Sequence, residues 1–325
     1  MSALGFVPLA LGLLTFLIAG RLGRRLPPAA IVRLGTVLAL TIAVMTGLVL
    51  CVAGVLSLRT LEAAGRRSGH LGRGLPTMTS TVAGGLAALV VFGLLASAAR
   101  CFLRSARALL QASVDSRRLG PIHSGLIVVD DEMPTAFAVA GVPGHVVVST
   151  AMLHALDAQE RQVLLAHEAA HLRHHHHLYV QLAQLAAAAN PLLRRLSRVI
   201  ATNTERWADE VAAAEVGSRD LVVRGLARAA LARHAHARAE ASCARGWVTE
   251  PGNLSAALGA TDGQLADRLR LLLAPEPQKA SLVSAFVVAV AIACGVTGMT
   301  AALQGHQQIE RLEFSSSTSA STLGH

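Results

Sequence analysis

The chain alternates between stretches without a charge and stretches rich in arginine. Uncharged apolar runs occupy residues 4–20, 34–58 and 81–99, and a fourth lies between Lys279 and Glu310, giving an expected span over 279–304. A helix needs ~17 to 25 such residues to cross the hydrocarbon core of a bilayer, so each run predicts a transmembrane helix. The run at 4–20 is the shortest, and by length alone its alternative is a buried core helix. No basic region precedes it, and Arg21, Arg24 and Arg25 follow it. That is the reverse of a cleavable signal peptide, so the run is expected to remain as an anchor.

Between residues 118 and 278 the pattern changes. Gly125 to Asp130, Ala136 to Val139 and His145 to Ser149 are short β-branched runs that read as strands. Gly141, Pro143 and Gly144 separate the last two, which predicts a hairpin. Asp157 and Glu160 then have the spacing of a capping box and start a helix near Ala158. Leu178 to Leu193 is uncharged but short for a span and is broken by Asn190-Pro191, which favours a core or surface helix over a membrane segment. Arg224 to Arg245 reads as a basic, Ala-rich helix facing solvent or headgroups. Gln264 to Leu273 reads as a last helix, ended by Pro275 and Pro277. The expected fold class is a multi-pass α-helical membrane protein with an α+β domain, a small sheet packed on helices. Residues 1–117 form the membrane domain with three spans, 118–278 the working domain, 279–304 the fourth span and 305–325 a disordered Ser/Thr-rich tail.

Composition agrees with this division. Hydrophobic residues make up 53% of the chain, charged residues 15%, and the mean hydropathy is +0.50, too apolar for an ordinary soluble domain. Arginines set the orientation. Arg21, Arg24, Arg25 and Arg33 crowd the first loop, and Arg100, Arg104, Arg107, Arg117 and Arg118 follow the third span. The loop from Arg59 to Ser80 is less densely basic and includes Glu62, and only Arg311 follows the fourth span. The bias places the working domain in the cytoplasm, with the amino terminus and the tail outside a cell membrane. The net charge of +9 sits at span ends, where anionic lipid accounts for it. With one Tyr and two Trp there is no platform for stacked bases, so a nucleic-acid partner is not expected. Cys51, Cys101, Cys243 and Cys294 form no disulfide framework or zinc ribbon.

The candidate chemistry lies in His167-Glu168-Ala169-Ala170-His171. Histidines four apart stand on one face of a helix, so both imidazoles reach a single metal ion. Glu168 can hold a water against that ion without binding the ion, the arrangement of a zinc hydrolase. Accident alone gives such a pattern with a probability of roughly two per cent. Glu205 and Asp209, one turn apart, supply a third, carboxylate ligand and a second acid to orient a ligating histidine. These residues predict a hydrolase with one zinc ion per chain, held by His167, His171 and a carboxylate of the Glu205 and Asp209 pair, with Glu168 as general base and acid. The sheet edge at Ala136, Phe137 and Ala138 can hold an extended protein or peptide substrate by backbone hydrogen bonds. His174 to His177 are expected to fan around one continuous helix, leaving at most one on the face of the motif. His234 or His236 could polarise a substrate carbonyl. Two alternatives compete: a non-catalytic sensor or binding protein that keeps the zinc fold, and a membrane scaffold whose histidines are surface groups.

The stretch from about Gly125 to Leu273 resembles the membrane-anchored gluzincin metallopeptidases. The likeness is to the BlaR/MecR-type sensor peptidases and their shorter actinobacterial relatives first, and to the HtpX-like proteases next. It is carried by Ala136-Phe137-Ala138, Val147-Val148-Ser149, the His-Glu-x-x-His helix and the Glu-x-x-x-Asp helix. The resemblance implies a zincin-like domain in which His167, His171 and Glu205 bind zinc, Glu168 is catalytic and Asp209 supports a ligand. It also implies that His176 is not a ligand. Thr135 stands where HtpX-like proteins usually have Asn. The sensor peptidases carry an extracellular drug-binding domain after the last span. Only residues 305–325 follow it here, so no such sensor role is expected.

Overall fold

The computed structural model describes residues 7–68, 78–118, 125–141, 144–244 and 265–273. It opens with three helices, α1 (Val7–Arg25), α2 (Pro28–Ser68) and α3 (Met78–Arg118). Prolines separate the first two, because proline lacks the N–H that a helix interior needs yet suits a first turn. The Pro27 carbonyl accepts from the amides of Ala30 and Ile31 at 3.0 and 3.1 Å and so begins α2.

Among the described residues one helix is long and apolar enough to cross a membrane, Pro28–Val52 of α2. The apolar stretch thus starts before the expected position 34. Arg33 lies inside α2 and places its guanidinium 4.8 Å from the ring centre of Trp207, a contact that offsets the charge. The run expected at 4–20 is helical from Val7, but its apolar part, Ala10–Arg21, is shorter than a span. The run at 81–99 is helical within α3. The expected span 279–304 and the tail 305–325 lie outside the described residues.

These helices share a core with the middle of the chain. Ala19, Leu26, Ile31, Val32 and Ile42 pack with Ala183, Leu193, Leu196, Ile200 and Trp207. Gly23 allows the approach: a Cβ there would lie 2.5 Å from Val199 Cγ1.

The sheet has three strands, β1 (Leu126–Val129), β2 (Ala136–Val139) and β3 (His145–Ser149), in the order β1-β3-β2. β2 and β3 form the expected antiparallel pair, with Phe137 opposite Val147, while β1 runs parallel to β3. The centre strand β3 is buried along its whole length, and β2 is left as an edge with Phe137 exposed. Ser149 ends β3 and starts α4 (Thr150–Ala155), its hydroxyl accepting from the amides of Met152 and Thr135 at 3.1 and 3.0 Å.

The capping box forms as expected. Asp157 accepts from the Glu160 amide at 2.8 Å and Glu160 accepts from the Asp157 amide at 3.0 Å, opening α5 (Ala158–Arg173). The continuous helix expected through His174 to His177 does not form. α5 ends at Arg173, His175 adopts φ 52°, and α6 (His176–Ala189) starts in a new direction. The uncharged run from Leu178 is mostly this helix, with Ala183, Ala186 and Ala187 buried in the core on one face and Leu178 and Leu182 exposed on the other. Asn190 ends it and accepts from the Leu192 amide at 3.1 Å, leading through a 3-10 turn (Pro191–Leu193) into α7 (Arg194–Val216). Gly217, at φ 73°, closes α7 in the left-handed conformation that costs other residues strain. α8 (Arg219–Ala244) follows, and residues 265–273 form a last short helix, α9. α5 lies between the sheet on one side and α7 and α8 on the other, with Val163, Ala166, Ala212, Val222, Leu226 and Leu272 in the shared core.

Candidate metal centre

Two helices meet at the site through small residues. Ala170 of α5 and Ala208 and Ala212 of α7 are all buried, which lets the backbones approach and brings the side chains between them together. His167 and His171 come from α5 and Glu205 from α7. One ligand atom from each lies within 4.8 Å of the other two, so the three could hold a metal ion.

The spacing fits a small tetrahedral cation. Ligand atoms at ~2.1 Å from a tetrahedral zinc stand ~3.4 Å from one another. Here the two Nε2 atoms are 3.2 Å apart, His167 Nε2 is 3.6 Å from Glu205 Oε2, and His171 Nε2 is 3.7 Å from Glu205 Oε1. Two imidazoles and one carboxylate are also donors that zinc accepts.

Each histidine is held from behind. His167 Nδ1 lies 3.0 Å from Asp209 Oδ1, and Asp209 is fully buried one turn after Glu205. His171 Nδ1 lies 3.2 Å from Nδ1 of His176, which is also buried. Each Nδ1 thus faces a buried neighbour, and both Nε2 atoms are turned to Glu205. The sequence-based expectation for Asp209 therefore has a geometric counterpart. His176 packs behind the site and not within the three-ligand group.

The charges are tuned by burial and by one another. Burial alone would lower His167, but its bonds to Asp209 and Glu205 prevail and raise its pKa to about 9. Burial lowers His171 to about 4 against the opposing charge of Glu205, assisted by the positive charges of His167 and Arg268. Burial would raise Glu205, yet the His167 hydrogen bond and the Arg268 charge bring it to about 2. Glu168 is raised by burial, opposed by His167, Arg233 and the backbone amide of Ala138. A carboxyl raised in this way holds a proton more readily than an exposed one, which suits a group that takes up and gives back a proton.

Glu168 and the histidines open onto a cleft of about 480 Å³. Ala136, Phe137 and Ala138 form one wall, and His177, Val180, Gln181 and Gln184 of α6 form another. The edge strand expected to meet a substrate thus borders the metal centre.

Sequence reasoning missed Arg268. On α9, its Nη2 and Nε reach the two carboxylate oxygens of Asp209 at 2.6 and 2.9 Å, and its Nη1 is 3.2 Å from Glu205 Oε2. A signal was present: Leu265, Arg268 and Leu272 have the spacing of a buried helical face with an arginine in an apolar position. Arg233 of α8 was also missed as a charge acting on Glu168; attention there had fallen on His234 and His236.

Comparison with known proteins reaches part of this assembly. Residues 107–193 match peptidase family M48, a stretch that contains the His167 to His171 motif and stops before Glu205, Asp209 and Arg268. No curated protein and no solved structure matches the chain. The likeness of residues 107–193 to peptidase family M48 supports a metallopeptidase whose metal, by family, is zinc.

Proposed function

We propose that the chain is a membrane-bound zinc endopeptidase in which His167, His171 and Glu205 hold the metal and Glu168 is the catalytic acid and base. The observation that carries this reading is the cluster of His167, His171 and Glu205, whose ligand atoms, one from each, lie within 4.8 Å of one another, with Glu168 beside it in an open cleft. When bound, zinc supplies a Lewis acid that polarises the scissile carbonyl and lowers the pKa of a water towards ~7. Glu168 receives the proton of the attacking water and delivers it to the departing amine. Asp209 keeps Nδ1 of His167 occupied so that Nε2 faces the metal, and Arg268 fixes Asp209. The substrate, a protein or peptide, lies extended along Ala136, Phe137 and Ala138, whose outer edge has no neighbouring strand among the described residues.

The arginine distribution supports a multi-pass protein of the cell membrane with this domain in the cytoplasm and the tail outside. Such a place suits regulatory proteolysis.

The test compares new protein amino termini in cells expressing the wild-type chain with those in cells expressing Glu168→Gln at equal level. Zinc content of both purified proteins is measured in parallel. Termini that depend on Glu168, with zinc retained in both, are the expected result. Retained zinc without any Glu168-dependent terminus, either in cells or on an unfolded protein in vitro, overturns it.

A further inference from the structure

The cleft beside the metal centre has two walls of different chemistry. β2 is an outer strand of the sheet among the described residues, with the amide of Ala138 turned to Glu168. The facing wall is α6, which from Leu178 to Ala189 is leucine, alanine and valine except for Tyr179, Gln181 and Gln184. Both glutamines line the cleft, and neither amide has a hydrogen-bond partner among the described residues.

An extended peptide laid against β2 creates a demand that these amides meet. Along an extended strand, successive residues point their N–H and C=O groups to alternate sides. One set pairs with β2; the other faces α6. Groups enclosed without a partner cost a large part of the binding energy. A glutamine side chain carries both a donor and an acceptor, so one amide can satisfy the N–H and the C=O of the same residue. Gln181 and Gln184, three positions apart, rise ~4.5 Å along one face of α6. Their long side chains can reach consecutive outward-facing groups ~6.8 Å apart on the strand.

We infer that Gln181 and Gln184 bind the main chain of the substrate on the side opposite β2, so that the cleft recognises extended backbone more than particular side chains. The inference rests on the endopeptidase reading and deepens it: the substrate class is unfolded or extended polypeptide. It assigns the two glutamines a binding role and no part in proton transfer.

The probe is fluorescein-labelled casein, an unfolded protein, with the full-length chain. Gln181→Leu/Gln184→Leu should raise KM for its cleavage about tenfold per hydrogen bond lost, with kcat within about threefold of wild type. Binding of the same casein to Glu168→Gln, read by fluorescence anisotropy without turnover, should weaken by the same factor when the two leucines are added. A short cleaved peptide in which an ester replaces one α6-facing amide should lose affinity for Glu168→Gln, and lose little more when the leucines are present. Gln181→Asn/Gln184→Asn, which keeps the amides, should recover part of the loss.

Unchanged casein affinity in the leucine variant overturns the inference while leaving Glu168-dependent cleavage intact. Ester and leucine effects that simply multiply also overturn it, since the leucines then act through packing. Leucine-sensitive binding without any Glu168-dependent cleavage supports the two-walled cleft and overturns the peptidase reading. Absence of both binding and cleavage overturns both.

Discussion

Arg268→Leu tests whether the acids of the site are held by a single buried cation. Asp209 has no exposed side-chain surface, and Arg268 is 15% exposed. Its guanidinium forks onto both oxygens of Asp209 at 2.6 and 2.9 Å and reaches Glu205 at 3.2 Å. Without it, Asp209 keeps only His167 Nδ1 at 3.0 Å, and Glu205 loses its nearest permanent positive charge. Breaking a buried ion pair by removing one partner costs ~3–5 kcal/mol, because the other charge remains enclosed. Since His167 still faces Asp209, the lower end is expected, ~3 kcal/mol for Arg268→Leu. Arg268→Lys retains the charge without the fork and should cost about half of that. Arg268→Leu/Asp209→Asn should be less unstable than the sum of its single variants, because no anion is left uncompensated. The measurement is urea unfolding of the metal-free full-length chain in mild detergent, followed by tryptophan fluorescence. A loss below ~1 kcal/mol, the value of an exposed pair, would refute the argument, as would strict additivity in the double variant.

Other outcomes follow from the same geometry. Metal-free His167 has its pKa raised to about 9 whereas His171 is lowered to about 4, so binding of zinc between these values should release one proton, from His167. Zinc affinity, measured by chelator competition, should then strengthen about tenfold per pH unit between about pH 5 and 8, and a flat profile would sink the assignment. The same raised pKa makes His167 a stabilising group in the metal-free chain below its ordinary value of 6.5, with that contribution lost as pH rises through about 9. Unfolding of the metal-free chain at pH 6 and pH 9 checks this sign. Glu168→Gln should keep zinc and lower peptide hydrolysis by about 10² to 10⁴-fold, and normal turnover would remove Glu168 from the chemistry. At Gly23, an added Cβ meets Val199 at 2.5 Å and Asn203 Nδ2 at 3.1 Å, so Gly23→Val should cost ~1–3 kcal/mol, and an unaltered melting temperature would contradict the close approach of α1 to α7.

What was legible in the sequence was local. The capping box at Asp157 and Glu160, the hairpin of β2 and β3, and the facing of His167 and His171 depend on residues a few positions apart, and all are in the structure. Glu205 and Asp209 could be read because their four-residue spacing puts two acids on one helical face. The end of α5 was not legible: His174 to His177 contain no glycine or proline, and the break comes at His175 while His176 is drawn under His171. Arg268 lies 59 positions from Asp209, and no local rule connects them. The ring that lets Arg33 lie within an apolar helix, that of Trp207, is likewise remote in sequence.

The proposed third ligand is placed by α7, whose residues from Glu205 to Asp209 face three ways. Glu205 turns to His167 and His171. Arg206 turns to α1, where its Nη1 donates to the Gly23 carbonyl at 2.9 Å, and is steadied by Asn203 at 2.8 Å. Trp207 turns to α2 beneath Arg33 and packs on His174 and His176, with ring centres 4.7 Å away in each case. Asp209 turns back to His167 and Arg268. A helix fixed on so many sides cannot rotate without breaking a buried contact. The position of Glu205 therefore depends on α1 and α2 as directly as on α5, and His176, resting on Trp207, carries the same dependence to His171. The helices that open the chain are part of the metal centre's support and more than a tether for it.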